Sequence, residues 1–92
     1  MKLQWRLSEA IERYNQSLDI CIKANNKWGM ARLYNNIANI YEMTMDFERA
    51  IEFQKLRLDI ATELGDRDGY VKSCVCVAAM YHVLGDNHNA SR

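Results

Sequence analysis

Two stretches decide the fold: AIERYNQSLDI, Ala10 to Ile20, and AIEFQKLRLDI, Ala50 to Ile60. Laid one over the other with a shift of 40 residues, they agree at Ala, Ile and Glu at the start and at Leu, Asp and Ile at the end. The same shift lays Gly29 on Gly69, Ala38 on Ala78, Tyr41 on Tyr81, Asp46 on Asp86 and Ala50 on Ala90. In all, eleven of the 52 possible pairs are identical. An internal period of this length marks an array of helical units, each burying its apolar face against the next.

Within each unit the periodicity is helical. Apolar residues recur at spacings of three and four through Leu7, Ala10, Ile11, Tyr14, Leu18 and Cys21, and again through Phe47, Ala50, Ile51, Leu58, Ala61 and Leu64. Neither series alternates as a strand would. Proline is absent and the only glycines are Gly29, Gly65, Gly69 and Gly85, so few residues interrupt the segments. The pattern predicts helices near 3–24, 28–44, 47–64 and 68–84, with another starting at 87. Gly65 and Gly85, in ELGD and VLGD, are placed to close helices in the left-handed conformation. Asp46, Asp66 and Asp86 are placed to accept from the free amides of the next turn or helix.

Bulk properties exclude several function classes. Ninety-two residues make one domain at most, with little depth for a catalytic cleft. Twelve basic residues balance twelve acidic ones, so no overall field draws the chain to nucleic acid or to an anionic membrane. The start lacks the charged, apolar and small-residue order of a secretion signal. No apolar run approaches the roughly 18 residues of a membrane span. Three cysteines without scaffold spacing fit a reducing compartment. A cytoplasmic protein is the expectation.

At these residues the chain resembles the tetratricopeptide repeat. In LYNNIANIYEMTMDFERAIEF, Tyr34, Ile37, Ala38 and Tyr41 match the first helix of the motif, and Phe47, Ala50 and Ile51 its second. The match continues through RLDIATELGDR and resembles the 40-residue form of Pins-like spindle-orientation adaptors and rapsyn-like scaffolds, where the shorter form repeats at about 34. Three departures stand out: the proline usual in the shorter motif is missing, Gln54 stands where an aromatic is common, and Arg57 where a small residue is common, although the 40-residue form often carries that arginine.

The resemblance implies an all-α fold of antiparallel helix hairpins stacked in a right-handed superhelix. One complete repeat spans 28–65, flanked by partial repeats at 1–25 and 68–92. The expectation is a fragment or short relative of a longer solenoid, its end faces open to self-association.

Three asparagines in one helix then need a reason, since each costs up to about 0.7 kcal/mol relative to alanine in a helix interior. Leu33, Ile37 and Ile40 form one apolar ridge and Tyr34, Ala38 and Tyr41 another. The remaining stripe is Arg32, Asn35, Asn36, Asn39, Glu42 and Met43. In the family this stripe lines the concave groove. An asparagine amide both donates and accepts, which suits the backbone of an extended peptide. The next unit presents Lys72, Val75, Cys76, Ala79, His82 and Val83, so the expected ligand has its backbone held by the amides and an apolar side chain seated near Val75, Ala79 and Val83. The competing expectation is a solvated polar face on a structural scaffold unit.

Catalysis and metal binding are set aside. Cys74 and Cys76 stand two apart, so their side chains diverge by about 200 degrees on a helix and cannot share one ion. His82 and His88 also stand on different faces. Ser73, Cys76 and His82 are the only loose candidates for nucleophilic catalysis, and no glycine-rich turn, phosphate loop or paired carboxylates accompany them in the sequence. The expectation is therefore a protein or peptide partner, no cofactor, no nucleic acid and no membrane, with Trp28 packed on the preceding helix end.

Overall fold

A computed structural model describes the backbone over residues 2–90 and the side chains over residues 6–85. Four helices follow one another: α1 (Lys2–Lys23), α2 (Lys27–Met43), α3 (Phe47–Leu64) and α4 (Arg67–Ala90). Turns of two or three residues force consecutive helices antiparallel. Each helix packs on its neighbours in sequence, α1 on α2, α2 on α3 and α3 on α4. The result is the expected all-α stack of helix hairpins, and its Cα atoms span 47 × 34 × 15 Å. A slab 15 Å thick cannot enclose one central core, given helix axes 8–10 Å apart, so apolar burial falls between helices.

It does so in two clusters. Ala31, Tyr34 and Ile60 form the first, with Leu18 of α1 and Phe53 and Leu64 of α3 against them. Ala50, Ile51 and Met80 form the second, packed by Tyr41, Phe47, Cys76, Val77 and Leu84. Tyr34 makes a tilted contact with Phe53, at 6.1 Å between ring centroids, and Tyr41 stacks on the same ring at 5.7 Å. Ile37 and Ala38 are buried between the clusters. Thus both predicted ridges of α2 are used, because α2 lies between α1 and α3.

All three turns are built alike. Asn25, Met45 and Gly65 adopt φ of 55, 64 and 70°. In each turn the amide of the next residue donates back across the helix end: Asn26 to the Cys21 carbonyl at 2.8 Å, Asp46 to Tyr41 at 2.8 Å and Asp66 to Ala61 at 2.9 Å. This is the Schellman closure. The same residues then cap the following helix. Asn26 Oδ1 accepts from the Gly29 amide at 3.1 Å, Asp46 Oδ1 from Arg49 at 3.4 Å and Asp66 Oδ1 from Gly69 at 3.1 Å.

The caps at Asp46 and Asp66 and the left-handed Gly65 agree with the sequence reading; the left-handed Asn25 and Met45 are additions. The repeated glycines also gain a reason. A Cβ on Gly29 would lie 2.8 Å from Asn26 Nδ2 and 2.9 Å from Cys21 Sγ, too close for the cap to form undisturbed.

Two expectations fail. No helix ends at Gly85: α4 runs on to Ala90 in place of a turn and a new helix from 87. Glycine inside a helix costs only about 1 kcal/mol, so Gly85 by itself does not end α4. The side chains of Asp86 and His88, like that of Trp5, lie outside the described residues. Trp28, in turn, does not bury itself on α1 but is 60% exposed. It follows the cap Asn26 by two residues and projects from the first turn of α2 away from the cluster that takes Met30 and Ala31.

Candidate functional site

The polar stripe of α2 is divided by what α3 brings to it. Gln54 of α3 is fully buried at the position where the sequence departs from an aromatic. Its Nε2 donates to Asn35 Oδ1 at 3.1 Å, and Arg57 Nη1 donates to the same oxygen at 3.1 Å. Gln54 and Arg57 stand three apart on one face of α3, so one acceptor on α2 serves both. Asn35 therefore has a partner inside the chain: its amide oxygen satisfies a buried donor and fixes a guanidinium. An unpaired buried amide would cost about 1–3 kcal/mol. The other end of Gln54, Oε1, has no such partner among the described residues, nor has the hydroxyl of buried Ser73.

Beside this network a cleft of about 650 Å³ opens between the N-terminal half of α2 and the C-terminal half of α3. Arg32, Asn35 and Asn36 line it from α2, Arg57 from α3, and Asp66 from the turn into α4, with Trp28 at the rim. Arg32 is exposed, whereas Asn36 and Arg57 are half-buried. Neither Arg32 nor Arg57 belongs to an ion pair among the described residues, where Lys27 pairs with Glu63 across the same two helices. Two guanidiniums, an asparagine amide and one carboxylate can hydrogen-bond a peptide backbone and a charged side chain. They do not form a nucleophile and base pair.

Three of the sequence-derived groove residues thus meet in one cleft: Arg32, Asn35 and Asn36. Asn39 and Glu42 are exposed farther along α2 and do not line it. The six residues from α4 lie off it as well. Lys72 is exposed and paired with Asp68 at 3.1 Å, one turn back on its own helix. Val75, Ala79, His82 and Val83 are exposed, and Cys76 is half-buried against the cluster of Ala50, Ile51 and Met80. Reading the stripe from α2 and α4 alone missed Arg57 and Asp66. Both were visible in the sequence for other reasons, Arg57 as the arginine that the 40-residue form often carries and Asp66 as the cap of α4.

Burial raises the Tyr34 hydroxyl above its ordinary pKa, and the residue packs with Ala31 and Ile60 in the core. Among the described residues no group of three or more His, Cys, Asp or Glu side chains is placed to hold a metal ion. No helix of the described residues is long and apolar enough to cross a membrane.

Comparison with known proteins agrees with the architecture. No curated protein matches the chain. A family profile described as Tetratricopeptide repeat matches residues 4–63, which takes in nearly all of α1, all of α2 and almost all of α3. Repeats of this kind generally mediate protein–protein interaction and have no catalytic role. With a match over more than half its length and the repeat geometry in the structure, the chain belongs to the tetratricopeptide repeat family.

Proposed function

We propose that the chain is an interaction module that takes an extended segment of a partner protein along the exposed face of α2. The observation that carries this reading is the cleft that gathers Arg32, Asn35, Asn36, Arg57 and Asp66. Arg32 and Arg57 favour an acidic side chain in the ligand, and Asn36 and Asn39 supply donors and acceptors for its backbone. Glu42 bounds the stripe. Lys72, Val75, Cys76, Ala79, His82 and Val83 form a separate surface on α4, so a ligand reaching them has to leave the cleft and cross the next hairpin. The three cysteines, an odd number without scaffold spacing, favour the reducing cytoplasm.

The test is a selection of displayed peptides on the chain, counter-screened on an Asn36→Ala, Asn39→Ala variant and on Arg32→Ala. Asn35 is left intact because its oxygen holds Gln54 and Arg57. The expected outcome is a shared acidic motif whose binding falls at least tenfold with these substitutions. Peptides indifferent to all three would refute the groove assignment. A second reading, a scaffold unit that stacks through its end faces, is favoured by a different observation: the exposure of Ile20, Val71 and Val75.

A further inference from the structure

α2 and α4 are counterparts under the 40-residue shift, and so are α1 and α3. Among the described residues α2 is covered on both sides, by α1 and by α3, whereas α4 is covered by α3 alone. The face of α4 left open corresponds to the face with which α2 receives α3. Val71, at the place of buried Ala31, is 57% exposed, and Val75, at the place of Asn35, is 62% exposed. At the other end of the slab, Ile20 of α1 is 67% exposed where its counterpart Ile60 is 7% exposed.

The two open faces are therefore the two halves of one interface that the chain already makes internally. We propose that a second copy of this chain lays its α1 on α4 of the first, in the place that α3 takes on α2. This rests on the scaffold reading and not on the cleft. The internal contact supplies the register. Ile60 packs with Ala31 and Tyr34, so Ile20 of the second copy packs with Val71 and Cys74. Gln54 bonds to Asn35, so Tyr14 of the second copy meets Val75.

In this last pair both members change from polar to apolar together, which keeps the contact matched. Two counterparts are mismatched. Phe53, which packs on Tyr34 and Tyr41, becomes Arg13 facing Cys74 and Tyr81, with Arg13 paired to Glu9 on its own helix. The ion pair of Lys27 with Glu63 becomes Arg67 facing Lys23. Lys23 is already neutralised by Asp19 at 3.1 Å, and both groups sit at the solvent edge where like charges are screened. Because the two faces differ, the contact is heterologous and repeats head to tail.

Sedimentation velocity of the 92-residue chain over a wide concentration range tests the proposal, with Ile20→Asp and Val71→Asp as blocked ends. Both positions are exposed, so circular dichroism of the variants matches the parent; Ile20→Gln and Val71→Gln repeat the test without added charge. The parent is expected to grow with concentration through dimers to longer species, and each variant alone to associate at least tenfold more weakly. Mixed in equal amounts, the two aspartate variants are expected to form a dimer that grows no further, since each retains one open end. A parent that stays monomeric overturns the proposal. So does a variant that assembles like the parent, or a mixture that remains monomeric.

Discussion

α1 and α3 begin and end their shared stretch with the same residues, yet the same isoleucine is 67% exposed at Ile20 and 7% exposed at Ile60. Ile11 is half-buried and Ile51 buried, and Ala10 is half-buried where Ala50 is fully buried. The difference lies in neighbours. Among the described residues α3 has α2 on one side and α4 on the other, whereas α1 has only α2. An amphipathic pattern states which side chains are able to be buried; the stack decides which of them are.

The sharpest way to break this comparison is to truncate the matched isoleucines. Ile60→Ala is expected to lower stability by about 2–5 kcal/mol, and Ile20→Ala to change it by less than about 0.5 kcal/mol, in urea unfolding of the chain below any assembly concentration. Equal losses would mean that Ile20 is as buried as Ile60 and that the open face of α1 does not exist.

The turns on either side of α3 extend the comparison to the backbone. Gly65 and Met45 have nearly the same left-handed φ, but only glycine adopts it without steric cost. Gly65→Ala is expected to destabilise by about 1–2 kcal/mol, and Met45→Gly to stabilise by up to about 1 kcal/mol. Thermal unfolding reads both signs. A destabilised Met45→Gly variant would show that the exposed methionine makes a contact outweighing its strain.

Gly85 is the counterpart of left-handed Met45 and repeats the Leu-Gly-Asp context of Gly65, but it lies within a helix, with open space where a Cβ would go. Gly85→Ala is therefore expected to act in the opposite sense to Gly65→Ala, raising helix content and adding up to about 1 kcal/mol. Loss of helix in that variant, followed by circular dichroism, would mean that α4 ends at Gly85 as its likeness to Gly65 suggests.

The smallest effect concerns the ring that Ile60 packs against. Burial raises the pKa of Tyr34 in the folded chain, so the unfolded chain loses this proton first as pH rises. The stabilising share is complete below the ordinary tyrosine value of about 10 and is lost as pH climbs through the raised folded value. Tyr34→Phe is expected to flatten this part of the alkaline stability profile and to leave the neutral region nearly unchanged. An identical alkaline slope in the variant would place the linkage on another group.

Part of the candidate site was legible in the sequence and part was not. Arg32, Asn35 and Asn36 were recognisable as neighbours because a helix alone puts them on one stripe. That Asn35 turns its oxygen to Gln54 and Arg57 depends on a helix 19 to 22 residues away. Lys72, Val75 and Val83 share a stripe on α4 for the same local reason as the asparagines on α2. Whether the two stripes face one cleft depends on how α3 separates the hairpins, and the cleft that forms takes its second wall from α3 and the Asp66 turn.

By itself the amino-acid sequence determined the helices, the 40-residue repeat and the caps at Asp46 and Asp66, because periodicity and capping act within a few residues of backbone. Tertiary structure alone decided that α4 passes through Gly85, that Asn25 and Met45 close their helices left-handed, and that Ile20 and Val71 are left uncovered. These outcomes rest on which neighbours a helix meets, because burial free energy belongs to the pair of surfaces and not to either one.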